Sequence, residues 1–428
     1  QVVRTGGQLL VSGTMNNSGQ TLNLAAGPGS MTLRGSTITG GAIVAPAAAP
    51  LSVIVGSNTT LTGVLIQGNI GFSGTTALTT PTLRLNNCVV DGSLDLAALS
   101  GATTVVGSFS VTAGVTVRNG ATLDFQSGQT LSMPSLSLLG GVLTGSSATG
   151  LTISSSTTVS GGGEILGARL VNNGRVLANS GTLFVRPSAL SGPGSFEVFS
   201  NGTLHLFTGT STPWSPSGPI RLNGGSINLG GVFASSVIGG IERISGLINI
   251  TGTANNANSS IVISPGTGPV SLVGGTIVGG LVSQQGGAPL IVSSVAGNRL
   301  LGVTVEGPLV IGSPFGPTAN LRLRDSLTLN TAATLGFNST LNLENATTIS
   351  GGLINATSGM NTIGEFTPGS TLTFTSSSGL TAQSGAQVNV SARVVNNGQI
   401  SAEGSGSRLS FNGTTFSNTG VIDARQGA

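Results

Sequence analysis

The sequence contains no lysine and no tyrosine, and it has only one cysteine, one histidine and one tryptophan among its 428 residues. Charged residues make up 6% of the chain, and the formal net charge is +3. Nucleic acids and anionic membranes are bound by clusters of basic residues. A chain with so few and so dispersed basic residues is not expected to bind either. A single cysteine, Cys88, forms no internal disulfide, and one histidine with one cysteine is too few for a zinc site.

Acidic residues are equally scarce, and this predicts that the chain is not an enzyme. The nearest carboxylate pair in sequence, Asp91 and Asp95, would lie about 13 Å apart on an extended strand. Glycoside hydrolysis needs two carboxylates closer together than that. His205 stands between two leucines and is expected on the solvent side of a strand. The run 161–164, Gly-Gly-Gly-Glu, lacks the aspartate and the recurrence of calcium-binding nonapeptides. We therefore predict no catalytic residue, no cofactor and no metal site.

Long apolar runs are lacking as well. The stretch 38–56 is uncharged and mildly apolar, but it contains Gly40, Gly41, Pro46 and Pro50, which exclude a membrane helix there. Residues 1–15 lack the basic start and apolar block of a signal peptide. No membrane insertion is therefore predicted, and Gln1 suggests a processed or excised chain.

Glycine, with 70 residues, and hydrophobic residues, with 38%, are plentiful. Disordered chains are poor in apolar residues and rich in charge, so this composition favours a folded chain. Short segments such as 83–85 (LRL), 341–343 (LNL) and 372–374 (LTF) alternate apolar and polar residues, which is typical of half-buried strands. Asn-Gly pairs at 173–174 and 397–398 suit tight corners. The sequence predicts an all-β chain.

The chain also repeats itself at a long period. Residues 4–17 read RTGGQLLVSGTMNN, and residues 243–256 read RISGLINITGTANN, at an offset of 239. Further on, residues 168–174 (ARLVNNG) match residues 392–398 (ARVVNNG) at an offset of 224. The smaller offset indicates that the second copy has lost about one coil, which a solenoid tolerates because each coil touches only its neighbours.

These matches predict two domains. Residues 1–239 form a first large solenoid unit, and residues 240–428 form a second, shortened and incomplete copy that is continuous with the first. The second copy stops before its counterpart of residues 205–239. Two interpretations of that stop remain open: a longer array completed by further coils, or the boundary of an excised segment.

Three all-β architectures compete for this pattern. A sandwich calls for strands of about five or six residues in domains of about 100 residues, and a propeller for blades of about 40–50 residues. The spacing between the corners at 397–398 and 419–420 instead fits a solenoid coil of about 22 residues. We predict a right-handed parallel β-helix (β-solenoid), an elongated rod of roughly 19 coils and about 90–100 Å in length.

Trp214 is the one aromatic residue that the sequence singles out. It lies in the proline-rich segment 211–219. It is a candidate contact for a partner or a sugar, and the alternative is that it clamps the loop onto the side of the solenoid.

Two recurring sequence motifs resemble those of a known protein family. Residues 170–176 (LVNNGRV) and 416–424 (FSNTGVIDA) resemble coils of filamentous-haemagglutinin-type adhesins and autotransporter passengers. The resemblance implies an exported protein with an adhesive or fibrous role, and it brings no catalytic residue. A secretion-domain signature and an outer-membrane barrel are missing from these residues, so the resemblance does not define a secretion route.

The sequence therefore predicts an extracellular structural rod that forms or contributes to a bacterial surface fibre, sheath or adhesin stalk. The expected location is secreted or cell-surface, and the expected partners are copies of the chain itself, in filaments or longer arrays, and surface glycans. One alternative is a carbohydrate-binding or carbohydrate-cleaving β-helix of the tailspike or polysaccharide lyase type. Another is an ice- or surface-binding solenoid, which regular Thr-x-Thr columns would mark.

Overall fold

The chain folds as an all-β parallel β-solenoid of about 18 turns, which confirms the predicted fold class and nearly the predicted number of coils. Within the described part of the chain there are 44 strands and one helix, α1, of four residues. The handedness of the coil stays a prediction. The computed structural model describes residues 8–27, 29–73, 83–96, 102–126, 128–145, 148–207, 213–313, 318–413 and 415–427.

The chain divides into two compact units. Unit 1 comprises residues 1–210 and 216–225, and unit 2 comprises residues 211–215 and 226–428. The predicted repeat border between residues 239 and 240 is a division of the sequence, and it stays a prediction.

The turns of unit 1 stack in parallel on three faces, and long strands such as those at 83–91 and 135–145 cover two faces, where each pairs with two shorter strands of the preceding turn. Strand β21 (Ile220–Leu229) contains the boundary between the units. The preceding strands are β1 (Leu9–Asn16), β2 (Thr21–Asn23), β3 (Met31–Thr39), β4 (Ala42–Ala45), β5 (Leu51–Ile54), β6 (Thr59–Thr62), β7 (Leu65–Gly68), β8 (Ile70–Ser73), β9 (Leu83–Asp91), β10 (Ser93–Leu96), β11 (Ala102–Val111), β12 (Gly114–Arg118), β13 (Thr122–Phe125), β14 (Thr130–Leu131), β15 (Ser135–Gly145), β16 (Leu151–Ile153), β17 (Thr158–Asn172), β18 (Arg175–Ala178), β19 (Gly181–Ser191) and β20 (Ser195–Leu206).

Unit 2 follows the same three-faced plan. Its elements are β22 (Val232–Ala234), α1 (Ser236–Gly239), β23 (Ile241–Ile250), β24 (Thr253–Asn255), β25 (Ser260–Ile263), β26 (Val270–Leu272), β27 (Thr276–Val278), β28 (Leu281–Gln284), β29 (Leu290–Val292), β30 (Arg299–Val305), β31 (Leu309–Ile311), β32 (Asn320–Leu329), β33 (Ala333–Leu335), β34 (Thr340–Gly351), β35 (Leu353–Ala356), β36 (Met360–Glu365), β37 (Thr371–Phe374), β38 (Gly379–Gln383), β39 (Gln387–Val390), β40 (Arg393–Asn396), β41 (Gln399–Glu403), β42 (Arg408–Phe411), β43 (Phe416–Asn418) and β44 (Val421–Arg425).

The core of each unit consists of aliphatic columns that run from turn to turn. Alternation along a strand points every second side chain inward, and parallel register places it above its counterpart in the preceding turn. Burying each aliphatic side chain contributes about 1.5–3 kcal/mol. One column of unit 1, in which every member is at most 1% exposed, contains Leu123, Leu143, Ile165, Val185 and Leu206.

Buried asparagines tie successive turns together at the corners. The Asn256 side chain is fully buried, and its Nδ2 donates to the carbonyl oxygens of Gly279 (3.0 Å) and Leu281 (2.9 Å), one turn further on. Asn17, which is 239 residues earlier, donates in the same way to the carbonyl oxygen of Ala42 at 3.0 Å. These bonds satisfy backbone groups at bends where the strand ladder is interrupted.

A glycine completes this corner because no other residue fits. Gly280 has a φ of +68°, and a Cβ atom there would lie 1.9 Å from the carbonyl oxygen of Asn256. Gly41, 239 residues earlier, has a φ of +70° and the same conflict with Asn17, at 2.0 Å. Left-handed backbone and close packing together explain why the sequence places glycine at both corners.

Candidate assembly surface and lateral groove

Trp214 is buried against the wall of unit 2. Its side chain is 5% exposed, Nε1 donates to the carbonyl oxygen of Gly230 at 2.9 Å, and the ring lies 5.6 Å from that of Phe233. These contacts favour the interpretation of Trp214 as a clamp, and contact of Trp214 with a sugar or partner stays a prediction. Ser211 and Thr212 of the proline-rich segment lie outside the described residues.

His205 lies on the outer side of β20, half-buried, with its ring centroid 4.6 Å from that of Phe184 on the preceding turn. Burial lowers the pKa of His205 below its usual range, and the positive charge of Arg186 lowers it further. The sequence predicted the outward direction of this side chain, but its aromatic neighbour follows from the register of β19 and β20.

The two aspartates that are nearest in sequence bind different partners. Asp95 forms an ion pair with Arg118 at 2.8 Å, and Asp91 accepts a hydrogen bond from Thr112 at 3.0 Å. The part of the chain that the structure describes contains no group of three or more His, Cys, Asp or Glu side chains able to hold a metal ion. Cys88 is buried, and this burial raises the pKa of its thiol.

No helix within the described ranges is long and apolar enough to cross a bilayer.

Each unit contains one carboxylate held between two arginines. In unit 1, Glu197 is bound by Arg175 at 2.5 Å and lies 3.6 Å from Arg221, on the neighbouring turns. Burial alone would raise the pKa of Glu197. Hydrogen bonds from Arg175 and Ser195, with the charges of both arginines, outweigh burial and lower that pKa.

In the corresponding cluster of unit 2, both arginines precede the carboxylate in the sequence. Arg299 and Arg322 lie in register on adjacent turns, and both pair with Glu344, whose side chain is only 9% exposed. The Arg322 guanidinium stacks over the ring of Phe366, with Cζ 3.7 Å from the ring centroid. One carboxylate therefore bridges two cations on adjacent turns and offsets the charge of one of them.

These environments predict that acid destabilises unit 1 in two steps. The folded-state pKa of His205 is below the unfolded value of about 6.5, so the unfolded chain binds the proton first and stability falls as the pH drops below about 6.5. The folded-state pKa of Glu197 is below about 4.3, so its stabilisation is present above that pH and is lost as the pH falls through the folded value.

Urea-unfolding midpoints between pH 8 and pH 3 measure both steps. Glu197→Gln should remove the lower step and His205→Gln the upper one. A midpoint that stays constant from pH 7 to pH 5 in the unsubstituted protein would contradict the upper step.

The first candidate surface is an exposed coil of unit 2, formed by β42, β43 and β44, which we call the outer coil. These strands pair with β39, β40 and β41 respectively, and among the described residues no strand pairs with their other edges. The side chains of Phe416, Val421 and Ile422 are 38%, 57% and 54% exposed.

Ile422 belongs to a column that is otherwise buried. It lies in register with Ile400, which pairs with Leu380, which in turn pairs with Ile354, and these three are fully buried. A cavity of about 520 Å³ opens beside Ile422 and is lined by Ile400, Ala402, Leu409, Phe411 and Phe416. The outer coil thus presents interior side chains on its surface.

A complementary open side occurs in unit 1. Strands β1 and β2 pair with β3 and β4, and no other pairing of β1 or β2 occurs within the described residues. Leu10 is 51% exposed, and Leu9 and Val11 are half-buried. We call this the first described coil.

The second candidate surface crosses three successive turns of unit 1, and we call it the lateral groove. It has a volume of about 570 Å³ and lies where two faces of the solenoid meet, along β15, β17 and β19. At Gly181 a Cβ atom would have no neighbour within 4 Å, whereas at Gly162 it would lie 2.5 Å from the carbonyl oxygen of Ser180, where the turns are closely packed. The side chains that line it include those of Leu139, Val142, Glu164, Ser180, Thr182 and Phe184.

An ion pair and an aromatic stack form one wall of the lateral groove. Glu164 and Arg186 approach to 3.3 Å, and the Arg186 guanidinium lies over the ring of Phe184, with Cζ 4.2 Å from its centroid. Leu139, on another turn, is 45% exposed. Sequence reasoning missed this site, because residues 161–164 were considered only as a calcium motif.

The solenoid places this chain among β-helix proteins, as the resemblance at residues 170–176 and 416–424 implied. No protein-family model matches the chain, and no curated protein matches it. The more specific likeness to filamentous-haemagglutinin-type adhesins and autotransporter passengers therefore remains a prediction.

Proposed function

We propose that this chain is a non-enzymatic, extracellular structural rod that forms or contributes to a bacterial surface fibre, sheath or adhesin stalk. The observation that carries the proposal is the stack of parallel turns, whose aliphatic side chains, such as Leu143, Ile165 and Val185, lie in register and are buried from turn to turn. A solenoid of this kind grows in one direction by the addition of similar turns, which suits a structural element.

The chemistry of the described residues supports a structural role over a catalytic one. Asp91 and Asp95 have separate partners, and Glu197 and Glu344 are each held by two arginines. Carboxylates that are engaged in this way stabilise the coils, whereas hydrolysis of a glycosidic bond needs a free acid and a second carboxylate nearby.

Sedimentation velocity over a concentration series tests the proposal. The unsubstituted protein should grow in mass with concentration as copies associate. A protein that stays monomeric at every concentration would contradict the proposal.

A further inference from the structure

We infer that the lateral groove of unit 1 binds a neutral oligosaccharide. This inference goes beyond the structural role proposed above, because the groove lies on the side of the solenoid and shares no residue with the outer coil. Its volume of about 570 Å³ falls within the range of about 300–1,000 Å³ that is usual for small-molecule sites.

Backbone pairing in the groove argues against a peptide ligand that adds a strand. In β17, the middle strand, Glu164 pairs with Val142 on one side and with Phe184 on the other, so its ladder is complete. Peptides that bind by strand addition need an open edge. A ligand of the groove is therefore recognised through side chains and exposed polar groups.

Charge in the groove argues against a charged polymer. Glu164 is the one carboxylate among the described lining residues, and Arg186 neutralises it at 3.3 Å. Binding of a polyanion would need a cluster of cations, and binding of a polycation would need unpaired carboxylates. The groove offers neither, so a neutral ligand fits best.

The remaining chemistry matches a sugar. Sugar rings present C–H faces, which pack on apolar side chains, and hydroxyl groups, which both donate and accept hydrogen bonds. Leu139 and Val142 supply the apolar contacts, Ser180 and Thr182 supply hydroxyls, and the Glu164 carboxylate is an acceptor. Ligand sites commonly combine an apolar lining with a few convergent polar groups in this way.

The groove is built for binding rather than cleavage. Three parallel turns span about 10 Å from the first to the third, room for more than one sugar ring. Retaining and inverting hydrolysis both use two carboxyl groups within about 5–10 Å of each other, and the described lining residues include only that of Glu164.

Isothermal titration calorimetry on the full chain tests this inference with four neutral hexasaccharides: cellohexaose, xylohexaose, maltohexaose and chitohexaose. At least one should bind saturably, and hydrogen–deuterium exchange should show protection of peptides containing Gly162 and Gly181 in the complex. Hexagalacturonate, which is acidic, should bind at least tenfold more weakly. Saturable binding of none of the four neutral sugars, tighter binding of the acidic one, or protection elsewhere would overturn the inference.

Variants locate the site and separate it from assembly. Leu139→Asp and Glu164→Gln should each weaken the affinity at least fivefold. Val89→Asp, which replaces an aliphatic side chain that is 39% exposed outside the groove, should leave it unchanged. Leu139→Asp should weaken sugar binding without changing the sedimentation behaviour of the protein, so failure of one proposal is distinguishable from failure of the other. Equal affinity of Leu139→Asp and Val89→Asp would overturn the placement of the sugar in this groove.

Discussion

Replacement of Ile354 by alanine is expected to destabilise unit 2 by about 3–4 kcal/mol. Ile354 is fully buried and lies in register between Ala333 on one turn and Leu380 on the next. The small side chain of Ala333 cannot fill the space left by the lost methyl groups, and parallel turns held by strand ladders cannot collapse into it. The loss therefore includes a cavity term as well as the lost burial.

The matched control is Ile422→Ala in the same column. Ile422 is 54% exposed, so its truncation should cost less than about 1 kcal/mol in the monomer. Native-state hydrogen exchange is the appropriate measurement, because solenoids open turn by turn and a single unfolding midpoint averages over them. Equal losses of protection in the two variants would contradict the aliphatic column.

Replacement of Glu344 by glutamine should lower the stability of unit 2 by about 2–3 kcal/mol. The change leaves Arg299 and Arg322 in register on adjacent turns without the carboxylate that bridges them. Loss of one partner from a fully buried pair costs about 3–5 kcal/mol. The smaller value follows because these arginine side chains are 33% and 27% exposed and keep part of their hydration.

Urea-unfolding midpoints in low and high salt measure this effect. Salt screens the repulsion between the two arginines, so high salt should recover part of the stability that Glu344→Gln loses. Asp95→Asn is the control, because it breaks an ion pair whose members are about half exposed, and its midpoint should shift little. A Glu344→Gln midpoint equal to that of the unsubstituted protein would show that the carboxylate does not hold the stacked arginines.

Local features of the fold were predictable from the sequence. Leu341-Asn342-Leu343 and Leu372-Thr373-Phe374 alternate as the period-two pattern predicts, and they lie in β34 and β37 with their apolar residues buried. The Asn-Asn-Gly phrase at 172–174 forms a corner in which the Gly174 amide donates to the Asn172 side chain. These features depend on neighbouring residues only, so the sequence contains the information directly.

Features that depend on register between turns were not predictable. Arg299 and Glu344 are 45 residues apart, and the lateral groove combines residues from three turns. Coil length varies from turn to turn, so the sequence does not show which outward side chains become neighbours. The proline-rich segment likewise gave no sign that Trp214 reaches Gly230, 16 residues further on.

Columns of threonine side chains also depend on the register between turns, which the sequence does not show. In unit 1, Thr14, Thr37 and Thr60 lie in register on successive turns, although no repeated Thr-x-Thr motif was evident in the sequence. The next member of the column is Arg84, so the hydroxyl column ends after three turns. A regular ice- or surface-binding face, the alternative weighed from sequence, is not supported by so short a column.

The structural account rests on parallel turns whose aliphatic side chains stack in register from one turn to the next. Cryo-electron microscopy of the assembled protein tests it most directly. We predict filaments in which the strands of each copy form parallel layers about 4.8 Å apart. Particles that remain single at every concentration, or copies that contain antiparallel sheets, would contradict the account.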